Sequence, residues 1–122
     1  MNQCFFRGRL TKDPDFKYSK SGTPSCRFTI ACDRKLSKAK KEEAKAKGYP
    51  TADFPQIVVY GDRAEFYAES LRKGHNVLVK CRFQTFSFDG EGGEKRYGQE
   101  HVAEDIEFLE RRKAQQEGGD LS

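Results

Sequence analysis

Apolar and polar positions alternate along several short stretches of the chain and take up a helical rhythm convincingly in one. "SCRFTIACD" sets Cys26, Phe28, Ile30 and Cys32 on one side and Arg27, Thr29 and Ala31 on the other. "ADFPQIVVYG" opposes Ile57 and Val59 to Phe54, Gln56, Val58 and Tyr60, with Pro55 near its start, where a missing amide donor is tolerated. From His75 to Phe88 the pattern predicts a longer strand. Its one face carries Val77, Val79, Cys81 and Phe83, and its other carries Lys80, Arg82, Gln84, Phe86 and Phe88. "NQCFFRGRL" alternates more weakly and predicts a first strand, after which "KDPDFKYSKSGTP" supplies the turn residues of a loop or hairpin. "DGEGGEK" predicts a turn, and "RYGQEHVAEDIEFLE" a last strand.

The helical stretch is "DRAEFYAESLRKG". Ala64, Tyr67, Ala68 and Leu71 make a stripe of helical spacing, Asp62 and Glu65 stand in capping-box spacing at its start, and Gly74 closes it. The order is therefore three strands, one helix and two strands, without an internal repeat. A parallel layered fold needs helices alternating with strands, and one helix is too few. The class predicted is all-β: a five-stranded Greek-key barrel of the oligonucleotide/oligosaccharide-binding (OB) type, which carries its helix between strands 3 and 4. At 122 residues one core is feasible; the domain is expected over residues 1–110, followed by a short frayed tail over 111–122.

Composition excludes more than it selects. No apolar run approaches the ~20 residues of a membrane-spanning helix. "MNQCFF" lacks the build of a secretion signal, so a soluble cytoplasmic protein is expected, with no membrane partner. Cys4, Cys26, Cys32 and Cys81 form no C-x-x-C pair and read as reduced core residues, neither disulfides nor zinc ligands. His75 and His101 belong to no metal-spaced pair, and no side chain stands in a nucleophile motif. No enzyme, cofactor or small-molecule substrate is expected. "GEGG" joins two strands and does not open a helix, so it reads as a hairpin tip, not a phosphate loop.

The formal charge of +4 is carried by one segment. Arg34, Lys35, Lys38, Lys40, Lys41, Lys45 and Lys47 are offset within residues 34–48 only by Glu42 and Glu43, a local net charge of +5 that leaves the remainder near −1. This segment, closed by Gly48 and Pro50, reads as a short solvated helix or a mobile loop, either an arm that grips phosphates or a surface with no ligand. The aromatics say more. Phe54 and Tyr60 share a face with Gln56, and Phe86 and Phe88 share one with Lys80 and Arg82. In a barrel whose inward faces fill the core, such faces stand outside. Rings beside cations match single-stranded nucleic acid, whose bases stack and whose phosphates attract lysine and arginine. The competing explanation is that these faces pack against another subunit or under the helix.

Several separated blocks, "GRLTKDPDFKYSKSG", "RFTIA", "ADFPQIVVYGDRAEFYAESLRKG" and "EDIEFLE", resemble the bacterial single-stranded DNA-binding proteins over nearly all of residues 1–110. The resemblance implies the same barrel, a homo-oligomer (a tetramer, with a dimer as alternative), a nucleoid-associated place in the cytoplasm, and coating of exposed single strands in DNA replication, recombination and repair. It places Phe54, Tyr60 and Phe88 at base-stacking positions. Leu36 falls where some members have a further stacking tryptophan, and Phe86 where a basic residue is common. Arg7 falls where the first strand is usually apolar, Cys81 where glycine is usual, and Pro55 where a polar residue is usual at a subunit contact.

The ending "EGGDLS" differs from the long linker and acidic tip of chromosomal members. Recruitment of replication and repair enzymes through such a tip is therefore not expected, and either a phage, plasmid or other mobile-element version or a member working without those partners is implied. The expected site combines Phe54, Tyr60, Phe86 and Phe88 for stacking with Lys80, Arg82, Arg7 and the arm at Lys35, Lys38, Lys40 and Lys41 for phosphates. An RNA-binding barrel and a protein-interaction module are the alternatives.

Overall fold

The computed structural model describes residues 1–109; the tail expected over 111–122 lies outside the described residues. Seven strands and two helices follow one another as β1 (Cys4–Leu10), β2 (Asp15–Tyr18), β3 (Pro24–Asp33), α1 (Lys38–Lys47), β4 (Ala52–Asp53), β5 (Gln56–Tyr60), α2 (Arg63–Ser70), β6 (Asn76–Asp89) and β7 (Lys95–Phe108). β1 pairs with β6, β6 with β7, β7 with β5, β5 with β3, and β3 again with β1. Five strands thus pair in a ring, the arrangement of an OB fold, and α2 falls between the third and fourth of them as the element order predicts. Among the described residues only the β5–β7 pairing is parallel, through Ile57 opposite His101 and Val58 opposite Val102.

Alternation decides what each strand buries. Leu10, Cys26, Phe28, Ile30, Ile57, Val59, Val77, Val79, Cys81, Ala103 and Ile106 form the interior, and the helical stripe adds Ala64, Tyr67 and Leu71 to it. Cys26 and Cys81 lie in that core and Cys4 and Cys32 at its margin, all as free thiols. Burial pushes the Cys26 and Cys81 thiols up to about 11. The alternation of β6 survives a bulge because the extra residue is on its partner: Lys80 pairs with Asp105 and Cys81 with Ala103, which leaves Glu104 unpaired on β7.

Local details depart from the sequence pattern in three places, at the third strand, at the start of α2 and at its end, while the segment after the first strand is one of the two forms expected. The predicted third strand is broken into β4 and β5 at Phe54–Pro55, where the Pro55 carbonyl accepts from Ile30 N at 3.2 Å. Asp62 does not cap α2. It is itself helical (φ −59°, ψ −30°) with no side-chain capping bond, and the Ala64 amide turns back to the Gly61 carbonyl at 3.0 Å. The helix then stops before Gly74, at Leu71. The segment after the first strand is a hairpin, with β2 pairing Asp15–Tyr18 against Pro24–Arg27.

The lysine-rich segment is a helix with no buried residue. Ser37 caps α1 by accepting from Lys40 N at 3.2 Å, Gly48 closes it at φ 76°, and Lys47 pairs with Glu43 at 3.0 Å.

Candidate nucleic-acid interface

The outer face of the ring is where the predicted side chains gather. Cross-strand register puts Phe5 opposite Lys80 and Arg7 opposite Leu78 on β1 and β6, and sets Arg82 opposite Val102, Gln84 opposite Glu100 and Phe86 opposite Gly98 on β6 and β7. On the far side of β7, β5 offers Gln56, Val58 and Tyr60. Arg7, Lys80, Arg82, Phe86, Phe88 and Tyr60 therefore share one sheet surface. Arg7, Lys80, Arg82, Lys35, Lys38, Lys40 and Lys41 form no side-chain ion pair among the described residues, so their charges are available to an anion.

Beyond Gln84 and Glu100 the β6–β7 pair leaves the ring and continues alone to Asp89 and Lys95, where a turn closed by Gly90 and Gly93 forms the predicted hairpin tip. Phe86 and Phe88 stand on this arm, with ring centroids 6.0 Å apart and planes 34° apart. Tyr97 is on the arm's other face, 78% exposed. Phe54 stands at the break between β4 and β5, 59% exposed. Beside it on the chain, Asp53 takes two hydrogen bonds from the Arg34 guanidinium (2.8 and 3.1 Å), which holds its carboxyl below the usual range. Lys35 and the α1 lysines are apart from the sheet, on the solvated segment between β3 and β4.

Sequence patterning missed the centre of the face. Glu100 is polar and lies outside the core, yet only 7% of it is exposed. Tyr60 Oη donates to its carboxylate (2.8 and 3.0 Å), Gln84 Nε2 donates to it at 2.7 Å, and Arg27 Nη1 stands 3.6 Å away. Arg27 Nη2 also donates to Tyr60 Oη at 3.2 Å, and its guanidinium carbon lies 6.0 Å from the Tyr60 ring centroid. Burial, then the Glu100 hydrogen bond and charge, push the Tyr60 phenol up against the smaller pull of Arg27. Tyr60 is thus a ring fixed at its hydroxyl end, 39% exposed. Arg27, which the sequence pattern assigns no role, therefore stands beside Tyr60 and Glu100 on this face.

Val58 corrects the outward reading of its strand: it is 1% exposed, flanked across the sheet by Arg27 and Val102. His101 is held between Phe6 and Phe83, with Nδ1 3.2 Å from the Gln56 carbonyl, a packing role away from the outer face. Among the described residues no cluster of three or more His, Cys, Asp or Glu side chains could hold a metal ion, and no helix is long and apolar enough to cross a membrane.

An OB-type ring with rings and unpaired cations along one outer sheet face belongs to the class of barrels built to lay a polymer across their surface. Comparison with known proteins places it more closely. The Single-strand binding protein family matches residues 1–109, and the chain belongs to that family. The chain is 44% identical over 111 residues to "Single-stranded DNA-binding protein 2" of Clostridium acetobutylicum, covering 90% of this chain and 77% of that one. It is 40% identical over 111 residues to "Single-stranded DNA-binding protein" of Clostridium tetani (90% and 71% covered). The protein of the same name from Thermotoga maritima is 39% identical over 114 residues (93% and 77%).

Proposed function

We propose that this protein is a non-enzymatic, sequence-tolerant binder of single-stranded DNA that coats exposed strands during replication, recombination and repair. The observation that carries this reading is the outer face itself. Exposed aromatics and unpaired cations share a sheet surface that faces away from the core or extends beyond it, so folding does not account for them. The relatives named for single-stranded DNA binding support the same reading.

Phe54, Tyr60, Phe86 and Phe88 stack bases, while Lys80, Arg82, Arg7 and the arm at Lys35, Lys38, Lys40 and Lys41 contact phosphates. Arg27 adds a cation beside Tyr60. The protein works as a homo-oligomer, a tetramer in preference to a dimer, in the cytoplasm at the nucleoid. A monomer by light scattering would refute that assembly.

The deciding experiment titrates labelled oligothymidine with the protein at low and moderate salt and follows fluorescence anisotropy, with duplex DNA and then an RNA strand of the same sequence as competitors. Tight binding that resists duplex and weakens with salt is expected. Preference for the RNA strand would move the protein to the RNA-binding alternative. Absence of salt-sensitive binding would make the aromatic faces protein interfaces.

A further inference from the structure

Gly98 stands on β7 directly opposite Phe86, in the part of the hairpin that has left the ring. Its backbone does not call for glycine: the glycines at positive φ are Gly22, Gly48, Gly61, Gly74 and Gly93. Space does. A Cβ built on Gly98 would overlap Phe86 Cζ and lie 2.7 Å from Cε2 and 3.0 Å from Cε1. The Phe86 ring therefore leans across the neighbouring strand, over the point where any other residue has its first side-chain atom. Phe86 nevertheless stays 40% exposed, and its ring lies beside that of Phe88.

We propose that Gly98 is a positioning residue for the nucleic-acid platform, one that leaves the Phe86 ring room to lie beside Phe88 as a pre-set pair of stacking surfaces. The inference rests on the reading of Phe86 as a base-stacking ring. Glycine inside a strand weakens it, and an aromatic laid over a cross-strand glycine recovers part of that loss. On the ring-bound half of the strands such a contact would serve the core. Here the hairpin contributes no core residue, so the contact orders a surface. A ring already held in place accepts a base without first losing its own rotamer freedom, which is where preorganisation gains affinity. Any side chain at position 98 swings the ring off the strand and away from Phe88.

A double-mutant cycle on the full chain tests this, with oligothymidine affinity as the readout and circular dichroism and urea midpoints as checks on folding. Phe86→Ala and Gly98→Ala should each weaken binding about five-fold or more, the lower end of one lost base stack. The double variant should bind no more weakly than Phe86→Ala alone, because Gly98 acts only through the ring. Wild-type affinity in Gly98→Ala beside a weakened Phe86→Ala would overturn the positioning role and leave the function standing. Additive losses would overturn it too, as would failure of Gly98→Ala to fold, which would make the glycine a folding residue. Unchanged affinity in Phe86→Ala would remove the ring from the site and this inference with it. Absence of binding by the wild-type protein would refute the functional reading itself.

Discussion

β6 and β7 are one continuous strand pair in two environments. From Asn76 to Gln84 they run inside the ring, and alternation sends Val77, Val79 and Cys81 into the core. From Thr85 to Asp89 the same two strands have no third partner, and nearly every residue there is exposed. In the first half an apolar side chain is explained by folding alone. In the second half it is not, because there is no interior for Phe86 and Phe88 to enter. The same alternation therefore marks core in one half and candidate contact surface in the other.

Two glycines sharpen this comparison, and the ring should give the larger effect. Gly8 pairs with Val77 in the ring, where an added Cβ would fall on the Ala31 carbonyl oxygen and 2.9 Å from its carbon. That obstacle is backbone at the β1–β3 contact and cannot rotate away. Gly8→Ala should cost about 3 kcal/mol of stability in urea unfolding, as overpacked cores do. An unchanged midpoint would show that β1 and β3 approach less closely than they do here. Gly98 meets only a movable ring, so its alanine variant should change binding and hardly touch the midpoint.

Next in size is the stacking surface. Phe88→Ala should weaken oligothymidine binding by about 1–3 kcal/mol. Its unfolding midpoint should stay within about 0.5 kcal/mol of wild type, as for a surface substitution. A well-folded variant with undiminished affinity would remove Phe88 from the site. A smaller, differently shaped effect belongs to α1, where five lysines face only Glu42 and Glu43 and nothing is buried. Lys38, Lys40 and Lys41 replaced together by glutamine should flatten the dependence of log affinity on log salt by about 2, at about 0.7 per phosphate contact on a single strand. Stacking and charge would thus separate, one arm losing affinity at every salt and the other chiefly at low salt. A slope identical to wild type would take α1 out of the footprint.

How far the sequence could be read follows from the same contrast. Strand faces and the α2 stripe were legible because period-2 and period-3.6 patterns record burial along one element. The hairpin tip was legible from its glycines. What one element cannot show is assembled from several. Glu100 looks solvated on β7, yet Tyr60 from β5, Gln84 from β6 and Arg27 from β3 close over it. Val58 is covered by neighbours from β3 and β7 in the same way. The capping box failed because it rests on spacing alone: the chain enters α2 through Gly61 at φ 90°, which leaves Asp62 already helical and unable to cap. The break after Asp53 was present in the sequence as Pro55, whose missing donor ends a ladder more readily than it decorates one.

The effect that is smallest near neutral pH lies on the inner face of the ring, on β3 and β6. Burial, before any nearby charge, raises the Cys26 and Cys81 thiols from 9.0 to about 11. A raised value means that the fold prefers the neutral thiol over the thiolate. Its stabilising contribution is fully present below about 9, the unfolded value, and is lost as pH climbs towards about 11. The urea midpoint should therefore decline between those limits. Tyrosine and lysine titrate nearby, so the informative quantity is the difference in slope between wild type and Cys26→Ala over that window. A shallower decline in the variant is expected. Equal slopes would mean that Cys26 meets water, which the alternation of β3 and its place in the core both deny.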